Sequence, residues 1–139
     1  MKERKERVED AVHALRAALE GGIVPGGETV YLRALEKLPT TGYGNLILRQ
    51  ALERPFNKLL ENAGLNPGQY KERIMASKNN GFGVDVTKSQ VVDMFASGIV
   101  DPKKVVVQAL KNALSVAIQI ICMDVVITPN MEEVKSKMQ

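Results

Sequence analysis

The sequence predicts a mainly α protein with one small β-hairpin and a short carboxy-terminal strand. Three observations carry that expectation. Apolar residues recur at three- and four-residue spacing over most of the chain. Aromatic residues make up only 4% of the 139 and Trp is absent, so the core must be built from Ala, Val, Leu, Ile and Met. One turn-rich cluster, residues 79–83, is followed by alternating Phe82, Val84 and Val86, the pattern of one arm of a hairpin.

Taken in order, the first helix comes from Val8, Ala11, Val12, Leu15, Ala18 and Leu19, with Glu3, Lys5, Glu6 and Arg16 on its other face; Gly21 and Gly22 end it. Residues 23–27 read as a short turn. A second helix is expected over about residues 28–38, with Tyr31, Ala34, Leu35 and Leu38 on one side, and a loop over residues 39–42. A third runs through residues 45–60, bent where Pro55 lacks an amide donor. After Asn62, Ala63 and Gly64 a shorter helix starts at Asn66, Pro67 and Gly68 and runs to about Ser77. Asp101 followed by Pro102 reads as a helix start, a capping carboxylate and then proline at the first helical position. From residue 105 to 121 the chain is apolar except for a stripe of Gln108, Lys111, Asn112, Ser115 and Gln119, a pattern that predicts burial on most sides. Residues 124–128 read as a strand and the tail from Met131 as polar.

Composition excludes several functions. A net charge of +3, concentrated in residues 1–7 and in Lys103 and Lys104, does not form the basic, aromatic-flanked stripe that nucleic acid requires. The longest apolar stretch lies within residues 113–123, too short for a bilayer, and the charged amino terminus does not read as a signal peptide. One cysteine, Cys122, permits no internal disulfide, and its apolar neighbours predict a buried, inert thiol. His13 has no second His or Cys near it, so it reads as a surface histidine and not a metal ligand.

Three local features suit part of a nucleotide site, each with a plainer reading beside it. Gly26 and Gly27 precede a helix, where backbone amides can approach a phosphate or nucleoside closely, or simply form a tight turn. Asp10 lies among other charges on the first helix and reads locally as a solvated carboxylate. Asp101 has a sufficient role as a cap and is also able to accept hydrogen bonds from a ribose.

Four segments in order resemble the bacterial group I (GroEL-type) chaperonins. VEDAVHALRAALEGGIVPGG, residues 8–27, is similar to the stretch leaving the intermediate domain for the equatorial domain. ALERPFNKLLENAG, residues 51–64, resembles the next equatorial helices. NGFGVDV, residues 80–86, resembles the nucleoside-contacting hairpin, and GIVDPKKVVVQALKNALSVA, residues 98–117, the helix behind the nucleotide pocket. The resemblance implies half of a helical equatorial domain: residues 1–22 at the intermediate-domain junction, 23–128 in the equatorial domain, 129–139 a polar tail. It implies an ATP-dependent, cytoplasmic protein-folding machine with Asp10 positioning the attacking water, Gly26 and Gly27 contacting the nucleoside, Asp85 and Val86 facing adenine, and Asp101 holding the ribose. No residue is assigned to metal.

The sequence departs from that pattern at Glu28, where the family has a third glycine; at Asp85 and Val86, where it has Asn and Ala; and over residues 39–44, where its loop is longer. The Gly-, Asp- and Thr-rich loop that holds ATP phosphates and magnesium in the family does not occur in the 139 residues, nor does the apical domain that takes unfolded protein and co-chaperonin. The expectation is therefore that this chain alone binds no ATP, runs no hydrolysis and self-associates or joins other chaperonin subunits, with no nucleic-acid or membrane partner. The alternative is a stand-alone helical interaction module derived from the family.

Overall fold

The computed structural model describes residues 2–125 and divides the chain into two units, Met1–Val106 and Val107–Gln139. The order is α1 (Lys2–Gly21), β1 (Ile23–Pro25), α2 (Thr29–Ala34) running on into a 3-10 turn (Leu35–Lys37), α3 (Tyr43–Asn62), α4 (Pro67–Ala76), β2 (Phe82–Asp85), β3 (Gln90–Asp93), β4 (Val100–Pro102) and α5 (Lys103–Ile121). The chain is mainly helical, as the periodicity predicts.

The core of the first unit is Leu32, Leu35, Leu52, Phe56, Leu60, Ile74, Val84 and Met94, drawn from α2, its 3-10 turn, α3, α4 and the hairpin. Two arginines tie these elements together. Arg33 is buried and donates to the carbonyls of Ile74 and Asn79 at 2.7 and 3.0 Å, while reaching Glu36 at 3.0 Å. Arg49 donates to the carbonyls of Leu35 and Leu38, closing the 3-10 turn. The α4 start follows its signature: Asn66 accepts from the Gly68 amide at 3.0 Å with Pro67 at the first helical position.

Two antiparallel pairs complete the unit. The expected hairpin is β2 with β3, in register Phe82↔Asp93 through Asp85↔Gln90. The second pair, β1 with β4, corrects two sequence expectations. Residues 23–25 are a strand and not part of a turn, and Asp101 lies in β4 opposite Val24, so it does not cap α5, which begins at Lys103. Hydrogen bonds outside the ladder win over the local helix-start signal: the Gly26 amide donates to the Ile99 carbonyl at 2.9 Å and the Lys103 amide to the Gly22 carbonyl at 3.0 Å.

α5 is left uncovered, and the expectation for Cys122 is corrected. No residue of α5 is buried, and Ile121 is 82% exposed. Cys122 is exposed, not buried. Periodicity reports that a helix is apolar; it does not supply the surface that would cover it. The apolar stretch within residues 113–123 belongs to a helix of 19 residues with mean hydropathy 1.3, long and apolar enough to cross a membrane by length and composition alone. Its polar stripe, Gln108 donating to Asn112 at 2.8 Å, would there face hydrocarbon. Asp124 and Val125 are not in a strand, and the rest of the expected 124–128 strand and the polar tail lie outside the described residues. The apolar face of α1 is likewise uncovered, with Leu19 80% exposed.

Candidate functional site

The β1–β4 pair brings residues far apart in sequence together. Opposite Asp101 stands Val24, and two residues later the chain turns through Gly26 and Gly27 into α2. Gly27 has φ 62°, and a side chain there would press on the Met94 methyl and approach the Val84 carbonyl. The hairpin therefore rests directly on the glycine turn. At Gly83 the approach is closer still: a Cβ would collide with Thr29 and Met94. Met94 is fully buried and links the segments through its backbone, its amide donating to Gly81 and its carbonyl accepting from Ile99. Gly27 and Gly83 thus close on Met94, while Gly26 is held through Ile99 and Asp101 through Val24 in the β1–β4 pair. The sequence signal for Met94 was only an apolar residue after Val91 and Val92.

Asp10 is not among them. It is exposed on α1, about 16 Å along the helix from Gly21. His13 is also exposed on α1, and no cluster of metal-ligating residues occurs among the described residues.

The two hairpin residues differ. Asp85 is buried at the end of β2, and its Oδ1 accepts from the Thr87 hydroxyl, the Thr87 amide and the Lys88 amide at 2.5, 3.0 and 3.3 Å. Lys88 Nζ lies 3.3 Å from the other oxygen. The Thr87 hydroxyl above all, then the Lys88 ammonium and the two amides, hold its carboxyl below the ordinary aspartate range against the opposing effect of burial. Its carboxylate is committed to the turn. Val86, half-buried, follows in that turn.

Asp101 is the opposite case. Burial pushes its carboxyl up, and no hydrogen bond to its side chain is present among the described residues. Glu28 joins it. This residue precedes α2 with φ 61° and ψ 6°, left-handed geometry that a non-glycine residue rarely adopts, and its side chain makes no capping bond. Burial first, and then the negative charge of Asp101, raise the Glu28 carboxyl. The two carboxyls therefore disfavour each other's charge at the start of α2. Tyr31 completes the group, its hydroxyl donating to the Val106 carbonyl at 3.1 Å and its pKa raised by burial, Glu28 and Asp101 in that order. Neither Glu28 nor Tyr31 was a candidate from sequence; the missing third glycine was the one available signal.

Chemically, a close-packed glycine turn beside a carboxylate with free acceptor capacity suits a ligand that brings hydroxyl donors, such as a ribose. Two carboxyls at the same place disfavour a phosphate.

The chain is a mainly helical body with two two-stranded sheets, an arrangement that resembles a fragment of a chaperonin equatorial domain. The TCP-1/cpn60 chaperonin family matches residues 1–130, and the chain belongs to that family. Among solved structures, it is similar to a group III chaperonin in the open state, at 32% identity and a TM-score of 0.72 over 80% of this chain. The chain spans about a quarter of the length of that protein, 25%.

Proposed function

We infer that this chain is a segment of an ATP-dependent, protein-folding chaperonin subunit, contributing the nucleoside side of the nucleotide site and surfaces for assembly with other subunits. The observation that carries the reading is the β1–β4 clip, which sets Gly26 and Gly27 beside Asp101 with the hairpin packed on the turn. Asp101 would accept from ribose hydroxyls, the glycine turn would admit the nucleoside, and Val86 would border the base. The four segments of GroEL-type sequence favour group I within the family, and a cytoplasmic setting goes with that assignment. Bound ATP would supply the phosphoryl group whose transfer to water drives the cycle. Asp10 could position that water only if α1 and a phosphate-holding loop were brought to the same place.

Calorimetric titration with ATP and magnesium tests this. The 139-residue chain alone should give no binding heat and no hydrolysis, and D10A should leave that result unchanged. Heat should appear once a polypeptide carrying the family's phosphate loop is added. Steady turnover by the chain alone, abolished by D10A, would overturn the split-site reading. A second reading, an interaction module without nucleotide chemistry, is favoured by the carboxyl of Glu28 beside Asp101 and by the commitment of Asp85 to its turn. Absence of binding heat in the mixture, with the two polypeptides still associating, would select it.

A further inference from the structure

The turn leading into β2 contains Asn80 and Gly81, the sole Asn–Gly pair in the 139 residues. In such a pair the Gly backbone nitrogen can attack the Asn side-chain carbonyl carbon. A C–N bond forms, the carboxamide nitrogen leaves as ammonia, and a succinimide results. Water then opens the ring at either carbonyl to give aspartate or isoaspartate. Asn80 is exposed, so water reaches it, and no Cβ on the following residue hinders the attack.

The attacking nitrogen is nevertheless engaged. The Gly81 amide donates to Asn79 Oδ1 at 2.9 Å, and the Gly81 carbonyl accepts from the Met94 amide at 2.9 Å. The residue supplying that acceptor is itself fixed: the Asn79 carbonyl takes hydrogen bonds from the buried Arg33 at 3.0 Å and from the Phe82 amide at 3.3 Å, and its amide donates to the Ser77 hydroxyl. The peptide unit that must rotate for ring closure is held on both sides.

We propose that Asn80 is a latent deamidation site, that the Asn79 carboxamide keeps it closed by holding the Gly81 amide, and that conversion follows opening of the Arg33-braced turn. The product matters to the fold, because isoaspartate adds a backbone carbon two residues before Phe82, the first residue of the β2–β3 register.

The chain is incubated in neutral buffer, folded or unfolded in urea, and cleaved with trypsin after Lys78 and Lys88. Mass and fragmentation of the released peptide then report aspartate and isoaspartate at position 80. Folded wild type should convert at least about tenfold more slowly than unfolded chain, since several hydrogen bonds must open together. N79A should convert about two- to tenfold faster than folded wild type, the loss of one hydrogen bond, while N79D, which keeps the oxygen, should stay slow. Equal rates for folded and unfolded chain, or for N79A and wild type, overturn the proposal. Should N79A loosen the hairpin, hydrogen exchange at the Gly81 amide of wild type decides: protection supports the proposal, and exchange at the unfolded-chain rate overturns it.

Discussion

Replacing Glu28 with glycine should stabilise this protein near neutral pH. Two effects act together. Left-handed backbone costs a residue with a Cβ about 1–2 kcal/mol, which glycine does not incur. Against this, glycine loses more chain entropy on folding, about 0.5–1 kcal/mol. The backbone effect alone therefore favours E28G by roughly 0–1.5 kcal/mol. Removing a half-buried carboxyl from beside Asp101 acts in the same direction at neutral pH. A total of about 1 kcal/mol moves a urea midpoint upward by roughly 0.5 M for a chain of this size. The sign of the pH dependence follows from linkage. The folded-state pKa of Glu28 is raised, so its contribution to stability is fully present below the unfolded value of about 4.3 and is lost as pH rises through the folded value. The advantage of E28G should thus be larger at about pH 7 than at about pH 4, where only the backbone part remains. E28Q separates the two effects: it keeps the strained φ and should flatten the pH slope without the backbone gain. Circular dichroism followed through urea at both pH values measures all three proteins. An E28G midpoint at or below wild type at neutral pH, or an E28Q slope equal to wild type, would refute the reasoning.

G83A should destabilise by about 1–3 kcal/mol in the same urea assay, because its methyl group enters space held by Thr29 and Met94. The uncovered apolar faces of α1 and α5 should make the chain associate with itself. Sedimentation should show mass rising with concentration, and the pair I118K and I121K in α5 should shift the distribution toward monomer. A strict monomer across a wide concentration range would contradict this.

The helices were legible because their signals are local. Val8 through Leu19 repeat at helical spacing, and the helix start read at Asn66 and Pro67 is where the structure places it, with Asn66 accepting from the Gly68 amide. The β1–β4 clip was not legible because Val24 and Asp101 stand far apart in the chain and each strand has only three residues. No alternation develops over so short a run, and Asp before Pro carries an equally good local signal for a helix start. The hairpin was half legible. Phe82 and Val84 alternate after a turn, but the partner arm, Gln90 to Asp93, is found only by pairing. Burial failed at Cys122 for another reason: a pattern of side chains describes one face of a contact and not whether the other face exists.

The candidate site turns on two aspartates that the family resemblance both assigns to nucleoside contacts. Asp85 and Asp101 both stand where the family resemblance places a nucleoside contact. Their surroundings separate them. Asp85 gains its hydrogen bonds from Thr87 and Lys88, its carboxyl is held low, and its charge is already answered within the hairpin turn. A ligand would have to compete with those donors. Asp101 is partly desolvated without an answering donor, a state that costs stability and that a hydroxyl donor would relieve. Binding free energy is available where the free protein leaves a polar group unanswered, so Asp101 has more to gain from a ribose than Asp85 has from an adenine. The same argument gives Glu28 its weight. Lying beside Asp101, it raises the cost of leaving that region empty of positive charge or donors, and it opposes a phosphate brought close. On the function proposed above, a nucleoside site in this chain would be built around Asp101 and its neighbour across the glycine turn, with the hairpin as its wall.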